Sequence, residues 1–196
     1  MATAEQGREA RRRLLAAAVE LIPQRGWSAV STRTLADRAG VTPSVVHYHF
    51  PSIPALLNEA VLAAMRGTVE ELAGLLAQAR TPAEAVDGLC AALDRYRGEE
   101  ALLFVEAYLA GARDPILREQ IAEVLDTFGR SFGDWLATHE VAAPQEVAAV
   151  LMAAIDGLVL RRGLGGGPDR TATATVLRRL LTPSARETRS AREGDI

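Results

Sequence analysis

Lysine is missing from this chain: all 22 of its basic residues are arginine. That reads as compositional bias, and no function attaches to it. Cysteine is nearly absent, with Cys90 alone. A single thiol excludes an intrachain disulfide and a cysteine metal cluster, and it makes a reducing compartment the default. Aromatic residues are only 5% of the total, and the alternating β-branched runs that mark half-buried strands are not found. No stretch approaches the ~18 apolar residues needed to span a bilayer. The opening MATAEQGREARRR lacks the apolar core of a signal peptide. Together these shortages lead to the expectation of a soluble, cytoplasmic, all-α protein with no membrane partner.

The motifs of catalysis are lacking as well. There is no Gly-rich phosphate loop, no HExxH and no nucleophile signature. His47 and His49 would stand about 200° apart on a helix, so they cannot share a metal on one face. Cys90 sits amid Ala and Leu and reads as a small buried hydrophobe. No catalytic residue, metal ligand or cofactor is expected, and the protein is read as something other than an enzyme.

What is present is a 196-residue, 20.9 kDa chain with 48% hydrophobic and 24% charged residues, enough for one or two domains with their own cores. Charge is uneven. Residues 1–52 carry seven Arg against four acids, and the rest carry fifteen Arg against twenty-one acids. A basic end on an acidic body points to a polyanion partner for the first segment.

Periodicity and punctuation predict about nine helices. The first spans about Arg8 to Arg25, with Arg11, Arg12 and Arg13 on the turn before its apolar face, and Gly26 ends it in a left-handed cap. Ser31 caps a second helix that Gly40 ends. Thr42 caps a third, with Pro43 in its first turn, where a missing N–H costs nothing. Pro51 stops that helix, and Ser52 caps a fourth from Ile53 to Gln78. Thr81-Pro82-Ala83-Glu84 forms a capping box for the fifth. A sixth covers Glu99–Ala112, a seventh Ile116–Thr138, an eighth Pro144–Arg161 and a last one Thr173–Leu181. The apolar-poor tail from 183 to 196 is expected to be disordered.

Residues 31–50, STRTLADRAGVTPSVVHYHF, hold two short helices around a Gly-centred turn, the form of a helix-turn-helix. Leu35, Ala36 and Val46 point inward. Pro43, Ser44, Val45, His47, Tyr48 and His49 are then left on or near the outer side, where hydroxyls and imidazoles can bond phosphates and base edges. The plainer alternative is a helical hairpin with a solvated polar face.

The run LLAAAVELIPQRGW, the segment Ser31–Phe50 with its Ala-Gly-Val-Thr turn and Tyr-His-Phe ending, and the following PSIPALL resemble the tetracycline-repressor (TetR) family of transcriptional regulators over the first 60 to 65 residues. The resemblance implies an N-terminal three-helix DNA-binding domain and a C-terminal helical domain for effector binding and dimerisation. It implies that Ser31, Thr32 and Arg33 approach phosphates, and that Thr42, Ser44, Val45, His47, Tyr48 and His49 carry the main contacts to double-stranded operator DNA. Two positions depart from the family pattern. His47 stands where a Tyr is usual, and Ile53 where a Lys is usual. Both usual residues commonly touch phosphates, so Arg33 or the Arg11–Arg13 cluster would have to take over that anchoring.

The expected division is a DNA-binding domain over 1–52, its family unit reaching about 8–68, and an effector and dimerisation domain over 53–182. A homodimer on a palindromic operator follows from the few base pairs one such unit reads. Phe132, Leu136, Val147, Leu151, Ala154 and Leu158 are the interface candidates. Tyr96, Phe104, Tyr108, Phe128, Trp135 and Met152 are candidates to line an apolar pocket for a small-molecule effector, with Glu106, His139 and Asp156 as polar handles. The function expected is a ligand-released repressor. The alternative is a helical ligand-binding or interaction module whose DNA-reading unit has degenerated.

Overall fold

The computed structural model describes residues 2–95 and 98–181. Tyr96 and the 183–196 tail lie outside the described residues. Within them the chain forms nine α-helices and one short 3-10 turn, with no strand.

Helix α1 runs over Ala2–Arg25 and is followed by the 3-10 turn Trp27–Ala29. It starts six residues before the expected Arg8, because Ala, Glu, Gln and Arg are all good helix formers and Gly7 costs only about 1 kcal/mol in a helix interior. Arg11, Arg12 and Arg13 lie well inside the helix. Pro23 is accommodated within its last turn. The Gly26 N–H closes the helix on the Ile22 carbonyl at 2.9 Å. Gly26 has a positive φ, at φ 82°, ψ 151°, but its ψ lies outside the left-handed helical region, and the 3-10 segment follows it directly.

Then come α2 (Thr32–Ala39), α3 (Pro43–His49), α4 (Ile53–Gln78), α5 (Pro82–Leu93), α6 (Glu99–Gly111), α7 (Pro115–Thr138), α8 (Pro144–Gly163) and α9 (Arg170–Arg179). Several helix starts are set by named side chains. Ser52 Oγ accepts the Ala55 N–H. Thr81 Oγ1 accepts the Glu84 N–H, but the Glu84 carboxylate reaches back to Arg80 N–H and not to Thr81, so the expected box is offset by one residue. Asp169 Oδ1 takes the Ala172 N–H at 2.8 Å, which starts α9 three residues earlier than expected.

The described residues divide into two compact units. Unit one takes those up to 68 together with 98–124, and unit two takes 69–95 together with 125–181. This division differs from the boundary at 52/53, because α6 and the first part of α7 pack with the N-terminal helices. Leu14, Ala18, Leu21 and Ile22 of α1, Leu35 of α2, Val46 and Phe50 around α3, Leu56 and Leu57 of α4, Ala107 of α6 and Leu117 of α7 are all buried in unit one. The core of unit two is built from Leu72, Leu76, Val86, Leu89, Cys90, Phe128, Phe132, Leu136, Leu151, Ile155 and Leu177. Phe128 and Phe132 stack there with ring centroids 6.1 Å apart.

Candidate nucleic-acid interface

Helix α2 is eight residues long and is fixed at both ends. Ser31 Oγ accepts the Thr34 N–H while Thr34 Oγ1 accepts the Ser31 N–H at 2.9 Å, a reciprocal box. At the other end Gly40 is left-handed at φ 64°, ψ 41°. Its N–H points at the Asp37 carbonyl, and the Val41 N–H bonds the Ala36 carbonyl at 3.0 Å. This double closure reverses the chain in a minimum of residues, and only glycine enters that conformation without strain. The angle between α2 and α3 follows from it.

Helix α3 is a seven-residue piece whose stability comes from its anchors. Val46 and Phe50 are buried, and the Phe50 N–H closes on the Val46 carbonyl. The Arg11 guanidinium carbon lies 5.0 Å over the Phe50 ring, and the same side chain bonds Glu59 Oε2 at 2.6 Å. One arginine of α1 thus ties the end of α3 to α4. Thr42 caps α3 by backbone geometry alone, since its hydroxyl pairs with Ser44 Oγ at 2.8 Å instead of a helix N–H.

With Val46 and Phe50 inward, the helical repeat turns Ser44, Val45 and Tyr48 outward. Pro43, Ser44, His47 and Tyr48 are exposed, and Val45 and His49 are half-buried. Tyr48 is 83% exposed, with its ring edge-on to that of His49 at 5.0 Å. A phenol held this far into solvent by a rigid backbone gains nothing for folding. Ser31 and Arg33 stand exposed at the start of α2, and Thr32 is half-buried.

The arginines around this face divide into held and available ones. Arg12 bonds Glu9, and Arg38 bonds Glu20 at 2.6 Å and Gln24 at 3.2 Å. Arg11 is engaged by Glu59 and the Phe50 ring. Arg33 has its side chain 90% exposed and only a 4.0 Å approach to Asp37. A surface pair that loose contributes little and yields readily to another anion.

Comparison with known proteins agrees with this geometry. Residues 14–60 match the model of bacterial regulatory proteins of the tetR family. Residues 80–183, more than half of the chain, match that of the tetracyclin repressor-like C-terminal domain. The chain belongs to the TetR family of transcriptional regulators. Among curated relatives, the HTH-type transcriptional regulator BetI of Brucella canis is 27% identical over 172 residues, which covers 85% of this chain and 86% of BetI. The solved regulator SCO7518 of Streptomyces coelicolor A3(2) is 31% identical with a TM-score of 0.72, covering 89% of this chain and 99% of that one. The multidrug binding protein EbrR, solved with proflavin, is 30% identical with a TM-score of 0.63, covering 87% and 99%. The protein is thus a DNA-binding regulator of a ligand-responsive family.

As a TetR-family chain it holds the remaining candidates in varied settings. Phe104, Glu106 and Tyr108 lie on α6 in unit one, whereas Phe128, Trp135, Met152 and Asp156 belong to unit two. The Glu106 carboxylate accepts the Trp27 N–H at 2.9 Å through Oε2 and so secures the turn that leads into α2. No sequence signal pointed to that bond. Phe128 is sealed in the core of unit two, while Trp135 and Met152 pack partly buried against it. The His139 ring lies 3.9 Å from that of Trp135, and its Nδ1 sits 2.9 Å from the Trp135 carbonyl.

The interface candidates divide too. Phe132, Leu136 and Leu151 are fully buried in their own unit and have no surface left for a second copy. Val147, Ala154 and Leu158 are half-buried. Exposed on α8 are Ala149, Val150, Ala153, Gly157 and Leu160. None of the helices searched among the described residues is long and apolar enough to cross a membrane.

Proposed function

We propose that this TetR-family protein is a cytoplasmic repressor that binds a palindromic operator as a homodimer and leaves it when a small molecule binds. The observation that carries the reading is the outer face of α3, where Ser44, His47 and Tyr48 are exposed on a helix fixed from behind by Val46 and Phe50. Ser31, Thr32 and Arg33 at the start of α2 complete the contact set, with Thr42, Pro43, Val45 and His49 at its edges. The reading head lies within residues 1–52 and the opening turns of α4, and the residues beyond serve effector binding and pairing.

Pairing is supported by the outer stripe of α8. Ala149, Val150, Ala153, Gly157 and Leu160 recur at helical spacing, and small residues let a second helix approach closely. Val147, Ala154 and Leu158 flank that stripe. An exposed apolar face of this kind marks an association surface. For the effector, the proflavin complex of EbrR supports an organic cation. Trp135, Met152 and Asp156 would suit one, since an indole face attracts a cation and a carboxylate neutralises it. The regulatory reading assigns no chemistry to the chain.

Sequencing the DNA fragments retained by the purified protein tests the whole reading, and recovery of a palindrome is the expected result. Tyr48→Ala then tests the face. Loss of one hydrogen bond worth about 1 kcal/mol at each half-site weakens operator binding about 5-fold per site and about 30-fold for both. The melting temperature stays unchanged because the ring supports nothing. Undiminished affinity in the folded variant removes Tyr48 from the contact set, and failure to enrich any palindrome favours the degenerate-module reading.

A further inference from the structure

The last turn of α8 carries a guanidinium that folding alone does not account for. The Arg162 side chain is only 9% exposed, and its Nη1 is shut off from solvent without a hydrogen bond. Among the described residues its ion contact is with Asp94 at the end of α5, where Nη1 lies 3.2 Å from Oδ1 but outside hydrogen-bonding geometry. A guanidinium has five N–H donors, and burying it on one poorly aligned carboxylate is unfavourable. Arg170, in the first turn of α9, approaches the other oxygen of the same carboxylate at 3.7 Å, with its side chain 59% exposed. Two arginines thus share one acid, and neither is well bonded to it.

Both line a solvent-open cavity of about 890 Å³ together with Asp94, the Gly165–Gly167 turn, Asp169 and Thr171. Gly165 and Gly167 take positive φ, 77° and 125°, in the turn that leads from the end of α8 to the start of α9. Helix α9 is ten residues long. Asp169 satisfies the Ala172 N–H, and the N–H groups of Arg170 and Thr171, the first two of the helix, have no partner within it. Guanidinium groups from two sides and amides from a third are the donor set that receives a tetrahedral oxyanion. A dianion is needed there to outcompete the Asp94 carboxylate, which favours phosphate over a simple carboxylate.

We propose that the α5–α8–α9 junction of unit two is a binding site for a phosphate group, held by Arg162, Arg170 and the N-terminus of α9, with Asp94 occupying its place when the ligand is away. The site is independent of the DNA-reading face. The cavity has room for more than the ion, so the source is either free phosphate or a small phosphomonoester.

Isothermal titration of the full-length protein with inorganic phosphate, against sodium chloride of equal ionic strength, is the test. Saturable, phosphate-dependent heat is expected. Arg170→Ala, at an exposed position that does not endanger folding, weakens it about tenfold, and the Arg162→Met, Arg170→Ala double variant abolishes it. Asp94→Asn removes the competitor, so it melts lower than the parent without phosphate and is restored by it. A sugar phosphomonoester that binds more tightly than phosphate assigns the site to an ester, and one that binds no better assigns it to the free ion. Absence of saturable heat, equal binding by the double variant, or no phosphate rescue of Asp94→Asn overturns the proposal.

Discussion

The separation of the arginines into held and available sets leads to a measurement that tells them apart. Each phosphate neutralised on duplex DNA releases condensed counterions, so log K falls with log salt by about 0.9 per contact. Arg33, 90% exposed and loosely placed beside Asp37, is assigned one phosphate. In a dimer, Arg33→Met therefore flattens the slope by about 1.8, and the loss of affinity between about 50 and about 200 mM salt shrinks about twelvefold. Arg11→Met is the control. Its guanidinium faces Phe50 and Glu59, so the slope stays as in the parent. Stability falls instead. A cation–π contact of about 0.5–1 kcal/mol, and an ion pair discounted to a few tenths by solvent screening, amount to about 1 kcal/mol. That is about 2–4 °C in melting temperature for a chain of this size. Fluorescence anisotropy with labelled operator at several salt concentrations, beside a thermal melt, reads both quantities. An unchanged slope for Arg33→Met, or a flattened one for Arg11→Met, refutes the division.

Three further outcomes follow. Gly40→Ala costs about 1–2 kcal/mol through its positive φ alone, since the added methyl would meet only Arg13 Nη1 at an ordinary 3.6 Å; a denaturant midpoint equal to the parent's contradicts this. The Asp114 carboxyl is held below its usual value of 3.8 by the Leu117 N–H and then the Asn58 amide, with burial opposing them and the Ile116 N–H adding to the lowering. Its contribution is therefore complete above pH 3.8 and lost as pH falls through its lowered value in the fold. Asp114→Ala melts below the parent at neutral pH, and the two curves converge in strong acid; a pH-independent gap argues against the linkage. Burial, and after it the Asp87 carboxylate, pushes the Cys90 thiol up. A thiol reagent at pH 8 should modify it only after unfolding, and fast labelling of the native chain would show that the core around it is open.

How much of this could be read beforehand depended on whether a residue acts locally. Helices α2, α3 and α4 have the expected ends because Ser31, Gly40, Pro43, Pro51 and Ser52 act on their own backbone neighbourhood. The start of α1 was misplaced because Ala, Glu, Gln and Arg extend a helix without marking where it begins. Amphipathic periodicity shows that a face is buried but not what covers it. Phe132 and Leu136 therefore read as interface when they are core. Glu106 and Arg162 were beyond reach for a related reason. An acid inside a helix gives no hint that it will accept an N–H from residue 27, and paired arginines at a helix end ordinarily complement the dipole in solvent.

The Trp27–Glu106 bond also bears on how this molecule can be cut. Unit one is discontinuous in the chain, with α6 returning after thirty intervening residues to cover α1. A fragment ending after residue 68 would expose the side of α1 that α6 covers and leave the Trp27 amide to water. An isolated head for binding studies, or a chimera that joins this specificity to a different sensor, consequently needs two junctions instead of one.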